Sequence, residues 1–218
     1  LLDGQMVTFN TPVDSLDAGI GFIHQELNLI NDLSIYENMF ITHLTKKGAF
    51  LDDKAHVKGA RKILERLEHD IPPETMVGDL RVGQQQMVEI AKALAKNARL
   101  LILDEPTSSL NETDSKALLD LLLKFKEEGM TCIIISHKLN EASYVAAEIT
   151  DIRDGTTIET IDNAGHDIDE DRIIKGMVGR EMTNRFPARE SQIGEMALEV
   201  KNWTVYHPVY TDRKVVDN

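Results

Sequence analysis

Two adjacent carboxylates are the first candidates for chemistry. In Leu100-Leu101-Ile102-Leu103-Asp104-Glu105-Pro106-Thr107 they follow a short, nearly all-apolar run. Such a run reads as a buried strand, so Asp104 and Glu105 stand at its C-terminal end. Ligands of open α/β sheets bind at that edge. An Asp there can hold Mg²⁺ directly or through water, while the next Glu points toward a different atom and can polarise an attacking water. The plainer alternative is a solvated strand-end pair. A second candidate is Gly83-Gln84 in Leu80-Arg81-Val82-Gly83-Gln84-Gln85-Gln86, placed immediately before a helix expected from Met87 to Lys96. Glycine at a helix start lets backbone N–H groups and the positive end of the helix dipole approach a phosphate closely. His137 ends Ile133-Ile134-Ile135-Ser136-His137, although a single histidine after a strand is more often structural than catalytic. The sequence has no Gly-Lys dipeptide and hence no Gly-x-x-x-x-Gly-Lys-[Ser/Thr] phosphate loop.

The elements that must position these residues alternate between strand and helix patterns, the signature of a mostly parallel sheet covered by helices. Arg99 to Asp104 reads as a strand, and Leu118, Leu119, Leu122 and Phe125 mark a helix between Glu112 and Glu128, with Gly129 as its C-cap. Met130 to Ser136 reads as the next buried strand. A short helix from about Lys138 to Val145 and a strand near Glu148 to Arg153 complete a βαβαβ run, and Asp154-Gly155 turns the chain into Thr156 to Ile161. Upstream, Gly19 to Ile23 looks like a strand running into His24-Gln25-Glu26. Between Asn31 and Asn97 strand signals are few. Val57, Ala60, Ile63, Leu64 and Leu67 share one helical face and Met87, Ile90, Ala91 and Leu94 another, so about 31–97 reads as a helical subdomain inserted in the core, broken at Pro72-Pro73. Leu33, Ile35, Met39 and Phe40 are groove or core residues, with core favoured for most. A last helix, about Asp169 to Val178, precedes a polar linker from Arg180 to Gln192. Ala197 to Tyr206 then alternates like a fresh strand, with Arg213 to Val216 as its hairpin partner.

Composition narrows the classes. Of 218 residues, 37 are acidic and 24 basic, a formal net charge of −13, which argues against nucleic acid as the main partner because phosphate-backbone binding needs a clustered Lys/Arg surface. The apolar share of 42% with 28% charged residues is that of an ordinary soluble globular protein. No apolar run approaches the roughly 18 residues of a spanning helix, and no charged-then-apolar signal peptide opens the chain. Cys132, with its apolar flanks, is expected on a buried strand in a reducing compartment.

Taken together the motifs resemble the ATP-binding subunits of ABC transporters. Leu100 to Asp104 with Glu105 is similar to their Walker B strand and catalytic glutamate. Ser108-Ser109-Leu110-Asn111 resembles the D-loop, with Asn111 where an Asp is usual. Ile133 to His137 resembles the strand ending in the switch histidine, and Gln25 stands where the family carries its Q-loop glutamine. Leu80 to Gln86 occupies the place of the Leu-Ser-Gly-Gly-Gln signature, with Arg81 and Val82 replacing its hydroxyl and first glycine. Arg81 either supplies a charge-assisted contact to phosphate or lies in solvent. His24-Gln25-Glu26-Leu27-Asn28-Leu29, Met87-Val88-Glu89-Ile90-Ala91-Lys92, and Met177-Val178-Gly179-Arg180 leading to Arg185-Phe186-Pro187 narrow the resemblance to the tandem ATPases of bacterial monosaccharide importers of the ribose, galactose and xylose type.

The resemblance implies an α/β fold: a partial ABC-type nucleotide-binding domain, a RecA-like parallel sheet core with an inserted helical subdomain. Residues 1–190 would be the first such domain without its phosphate-loop part, and 191–218 a linker and the first strands of a second. Leu2-Asp3-Gly4-Gln5 would be the strand end after the phosphate-loop helix. The cofactors implied are ATP and Mg²⁺, with Asp104 and Gln25 toward the metal, Glu105, His137 and Gln25 in catalysis, and Leu80, Arg81, Gly83, Gln84, Ser109 and Asn111 toward nucleotide. The partners implied are membrane permease subunits, a second nucleotide-binding domain and, indirectly, a periplasmic sugar-binding protein. The place implied is the cytoplasmic face of the bacterial inner membrane, peripherally. This chain alone is expected neither to bind ATP tightly nor to hydrolyse it. The alternatives are a soluble ABC-type ATPase not linked to transport and a non-catalytic interaction fragment.

Overall fold

A computed structural model describes residues 1–42, 44, 46–47, 50–166, 168–178 and 194–216. They divide into two compact units, Leu1–Glu181 and Met182–Asn218. The first opens on a tight turn in which Leu2 and Gln5 exchange backbone hydrogen bonds at 2.9 Å, with Asp3 and Gly4 at positive φ. The expected strand end at Leu2–Gln5 is thus a two-residue turn, for which Asp-Gly is a favoured sequence. Helix α1 (Pro12–Asp17) went unread in the sequence. Its signal is Thr11-Pro12-Val13-Asp14: the Thr11 hydroxyl accepts the Asp14 N–H, the Asp14 carboxylate takes the Thr11 N–H, and Pro12 sits where a backbone donor would go unpaired.

Strand β1 (Ile20–Ile23) is followed by α2 (Ile35–Phe40), the short antiparallel pair β2 (Lys46–Lys47) and β3 (Phe50–Leu51), α3 (Asp53–Arg66), a 3₁₀ turn at Val77–Asp79, and α4 (Val82–Ala95). This is the helical stretch expected over 31–97, with one small β addition. Ile35 and Met39 are core, while Leu33 and Phe40 are half-buried along a small groove. Helix α4 starts at Val82, earlier than the expected Met87, so Gly83 lies in its first turn.

Then come β4 (Leu100–Asp104), α5 (Glu112–Glu127), β5 (Thr131–Ile135), α6 (Leu139–Val145), β6 (Glu148–Arg153), β7 (Thr156–Asp162) and α7 (Glu170–Val178). Strand β4 is central, parallel to β1 from Ile20↔Leu100 to Ile23↔Leu103 and to β5 from Leu100↔Thr131 to Asp104↔Ile135. Ile23, Leu101 and Leu103 are buried in one core with residues of α4 and α5. Gly21 permits the close approach of α4 to β1, since a Cβ there would stand 3.0 Å from Ala93 Cβ and 2.9 Å from Leu101 Cδ2. The opposite sheet face is open among the described residues: Phe22, Ile133 and Ile135 are 42%, 48% and 48% exposed.

Two expectations need correction. Residues 130–136 do not form a fully buried strand, because successive side chains of β5 point to opposite faces and, among the described residues, only one face is packed into the core. Cys132 is accordingly half-buried, which still pushes its thiol up to about 11. Nor does the βαβαβ run close in one sheet. Strand β6 pairs with β7 in a separate antiparallel ladder. Its buried residues alternate with exposed ones, Ile149 and Asp151 in and Ile152 out, the pattern of an antiparallel strand with one wet face rather than of a central parallel strand.

In the second unit β8 (Val205–Tyr206) pairs with β9 (Lys214–Val216). The strand expected over 197–206 is therefore confined to its last two residues, with Leu198 and Trp203 exposed. The linker at 180–192 and the motif Gly179-Arg180 with Arg185-Phe186-Pro187 lie outside the described residues.

Candidate functional site

Parallel pairing brings the C-terminal ends of β4 and β5 side by side, and β1 ends on the other side of β4. Asp104 closes β4, half-buried, and Glu105 follows with φ of 43°, a left-handed conformation uncommon outside glycine and costing of order 1–3 kcal/mol. The Glu105 N–H donates to Ile135 O at 2.9 Å, which holds the turn against β5. The Glu105 side chain then meets two residues from the neighbouring strand ends. Gln25 Nε2 donates to its Oε2 at 3.0 Å, and His137 Nδ1 lies 3.0 Å from its Oε1. His137 is 65% exposed and Glu105 28%. A carboxylate held between an amide and an imidazole at a sheet edge can accept a proton from, and orient, a small nucleophile such as water.

The other sequence candidates gather elsewhere. Arg81, Gly83, Gln84, Ser109 and Asn111 line an open cleft of about 1060 Å³. Leu80 stands half-buried just before α4, its carbonyl taking the Gln85 side-chain amide at 3.3 Å. Arg81 is the exposed N-cap of α4, and its N–H donates to Gln84 Oε1 at 3.0 Å, so the Gln84 side chain is turned back on the helix start. Asn111 caps α5: its Oδ1 accepts the Asp114 N–H and its Nδ2 donates to Asp114 Oδ2, both at 2.9 Å. Asp114 in turn packs on Gly83, where a Cβ would stand 2.7 Å from Asp114 Oδ2. His69, in the same cleft, has its imidazole pushed below the ordinary range by burial, with Asp114 pulling the other way.

Sequence reasoning missed Asp114, although Asn111-x-x-Asp114 has the spacing of a capped helix start. It also missed a clamp on the segment after Gln25. Glu89 Oε1 accepts the Asn28 N–H at 2.6 Å and Lys92 Nζ donates to Asn28 O at 2.7 Å, tying that segment to α4. Among the described residues no three His, Cys, Asp or Glu side chains group as a metal cage. The carboxylate of Asp104 and the amide oxygen of Gln25 are hard oxygen donors, and Mg²⁺ shared with phosphates needs only one or two protein ligands. The donor set therefore fits Mg²⁺ together with a phosphate ligand.

Residues 1–108 match the family model described as ABC transporter. The L-arabinose transport ATP-binding protein AraG of Geobacillus stearothermophilus is 53% identical over 99% of this chain, which spans 42% of that protein. The xylose import ATP-binding protein XylG of Photobacterium profundum is 46% identical over 100% of this chain and 43% of its own length. Thus the chain spans well under half of the curated relatives it matches. Among solved structures, the dimeric post-hydrolysis ATP-binding cassette MJ0796 with ADP and Pi overlays at a TM-score of 0.57 and 28% identity, over 70% of this chain and 68% of that one. A nucleotide-free ATP-binding cassette from an ABC transporter shares the fold at a TM-score of 0.63 and 22% identity, over 78% of this chain and 68% of that one. The α/β core with its parallel β1-β4-β5 sheet has the fold of part of an ABC nucleotide-binding domain, and residues 1–108 carry the match to the ABC transporter family.

Proposed function

We propose that the protein carrying this chain is the ATP-binding and ATP-hydrolysing subunit of a monosaccharide importer. Residues 1–190 are most of its first nucleotide-binding domain, and 191–218 are the linker and opening strands of a second. The convergence of Gln25 and His137 on Glu105 at the sheet edge carries the hydrolytic reading. The names of the relatives, L-arabinose transport and xylose import, support a pentose or similar sugar as cargo. Asp104 and Gln25 would hold Mg²⁺, which would supply neutralisation of the charge that develops on the phosphate. Glu105 orients or deprotonates the attacking water, and His137 holds the terminal phosphate. Arg81, Gly83 and Gln84, following Leu80, with Ser109 and Asn111, face the nucleotide of the opposite domain.

Permease subunits in the membrane grip the segment near Leu29 to Met39, and a periplasmic sugar-binding protein delivers the cargo to them. The ATPase sits peripherally on the cytoplasmic face of the inner membrane; no helix among the described residues is long and apolar enough to cross it. The acidic balance of −13 disfavours a nucleic-acid role.

The test is Glu105→Gln in the full reading frame. ATP turnover is expected to fall by about 10² to 10⁴ while Mg-ATP binding persists. This chain alone, with no Gly-Lys in its sequence, is expected to show no micromolar Mg-ATP binding by calorimetry. Turnover within a few-fold of wild type in Glu105→Gln would remove Glu105 from the chemistry.

A further inference from the structure

Behind the half-buried Glu105 and the exposed His137 lies a buried polar knot that neither the family motifs nor the proposed roles use. Thr107, two residues after Glu105, is 1% exposed, and its hydroxyl donates to Glu141 Oε2 at 2.6 Å. Glu141, on α6, is 6% exposed and its other oxygen lies 3.1 Å from Lys138 Nζ. Lys138 is the residue after His137, and its ammonium also donates to the Thr107 carbonyl at 3.0 Å and approaches the Thr107 hydroxyl at 3.3 Å. The Thr107 carbonyl takes the Leu110 N–H as well, at 3.2 Å. Two loops are thereby tied together by side chains adjoining the two residues whose functional atoms meet at 3.0 Å.

We infer that Thr107, Lys138 and Glu141 are positioning residues for the hydrolytic step: they fix the loop carrying Glu105 against the loop carrying His137. The inference rests on the hydrolytic reading of Glu105. A buried carboxylate is tolerated only with partners, and here a hydroxyl and an ammonium supply them from opposite sides of the junction. The β4–β5 register ends at Asp104↔Ile135, and the one backbone bond from Glu105 to β5 beyond it is its N–H to Ile135 O at 2.9 Å. Past that point the left-handed Glu105 and the exposed His137 sit on irregular backbone, so their relative placement depends on what anchors the loops. Misplacement of reacting groups by about 1 Å can cost up to 10²-fold in rate.

The sequence signal is modest. Lys138 and Glu141 stand three residues apart, and nothing in that spacing reveals Thr107 as their common partner.

The experiment compares Thr107→Val, Thr107→Ser and Lys138→Met in the full-length protein, with Glu105→Gln as reference. Thr107→Val keeps the shape and deletes the hydroxyl; Lys138→Met acts at a partly exposed side chain and guards against a folding failure at the buried site. Both are expected to lower kcat by about tenfold or more with KM for Mg-ATP within about twofold, while Thr107→Ser stays within about twofold of wild type in both. If wild type turns over and Glu105→Gln does not, yet Thr107→Val and Lys138→Met keep wild-type kcat, or Thr107→Ser loses as much as Thr107→Val, the positioning role is wrong and the hydrolytic reading stands. If Glu105→Gln turns over like wild type, the hydrolytic reading fails and takes the inference with it.

Discussion

Gly83 has two reasons to be glycine, and they can be separated. A missing Cβ at a helix start opens the backbone to a phosphate, as the sequence pattern suggests. The structure adds a neighbour: a Cβ there would stand 2.7 Å from Asp114 Oδ2 and 2.9 Å from its Cγ. Asp114 is not free to swing away, because Asn111 holds both its N–H and its Oδ2. Gly83→Ala must therefore shift the first turn of α4 or break the cap of α5. Overpacking of this kind costs about 1–3 kcal/mol, and urea unfolding of this chain is expected to report a loss of that size without any nucleotide present. Combining it with Asp114→Ala should give a double variant less destabilised than the sum of the two singles, because the clash is then gone. A wild-type urea midpoint for Gly83→Ala would leave phosphate approach as its sole reason.

At the scale of elements, the hairpin β6–β7 and helix α7 meet around Asp151, whose Oδ2 is buried with no hydrogen-bond partner among the described residues. Burial pushes its pKa above the ordinary 3.8, Glu159 on β7 adds to the rise, and Arg172 on α7 opposes it while pairing with Glu159 through both carboxylate oxygens. A carboxyl whose folded pKa lies above its unfolded value takes stability from the fold as pH climbs past 3.8 and through the folded value. Asp151→Asn is then expected to raise the unfolding midpoint at pH 7, with the gain shrinking toward zero as pH falls to about 3.8; a gain equal at both ends would assign it to something other than ionisation. The same hairpin shows where the sequence stopped being legible. Continuous apolar runs made β4 and β5 readable, and Gly129, at φ of 85°, marked the end of α5. The membership of β6 in a sheet was not readable, because an alternating strand fits either an edge of the parallel sheet or a hairpin, and pairing is decided by distant residues. Helix α4 was read late for a local reason: Val82, Gly83 and Gln84 carry no apolar periodicity, and a side-chain bond from Gln84 to the Arg81 N–H starts the helix instead. For the site, motif order exposed Gln25, Glu105 and His137. The Thr107 knot and the Asn28 clamp join residues far apart in sequence, and each member looks like an ordinary surface residue by itself.

For the first compact unit as a whole, the open sheet face is the dominant physical fact. Phe22, Ile133 and Ile135 present apolar surface beside one another, since Phe22↔Ile102 and Ile102↔Ile133 are registered partners and residues two apart share a face. Fully burying such side chains is worth about 1.5–3 kcal/mol each, so covering the exposed half contributes roughly 1 kcal/mol per residue. That is a large share of the stability of a domain that holds by about 5–15 kcal/mol. The proposed parent protein supplies a natural cover, the segment upstream of Leu1 that would bring the phosphate loop. This chain alone is therefore expected to bind an apolar fluorescent dye strongly in its folded state. Extending the reading frame upstream through a phosphate loop should remove most of that signal, raise the unfolding temperature by several degrees and slow hydrogen exchange along β5. Were the extended protein to bind the dye as strongly as this chain, the sheet face would belong to a partner surface, and the placement of residues 1–190 as a domain lacking only its phosphate-loop part would fall with it.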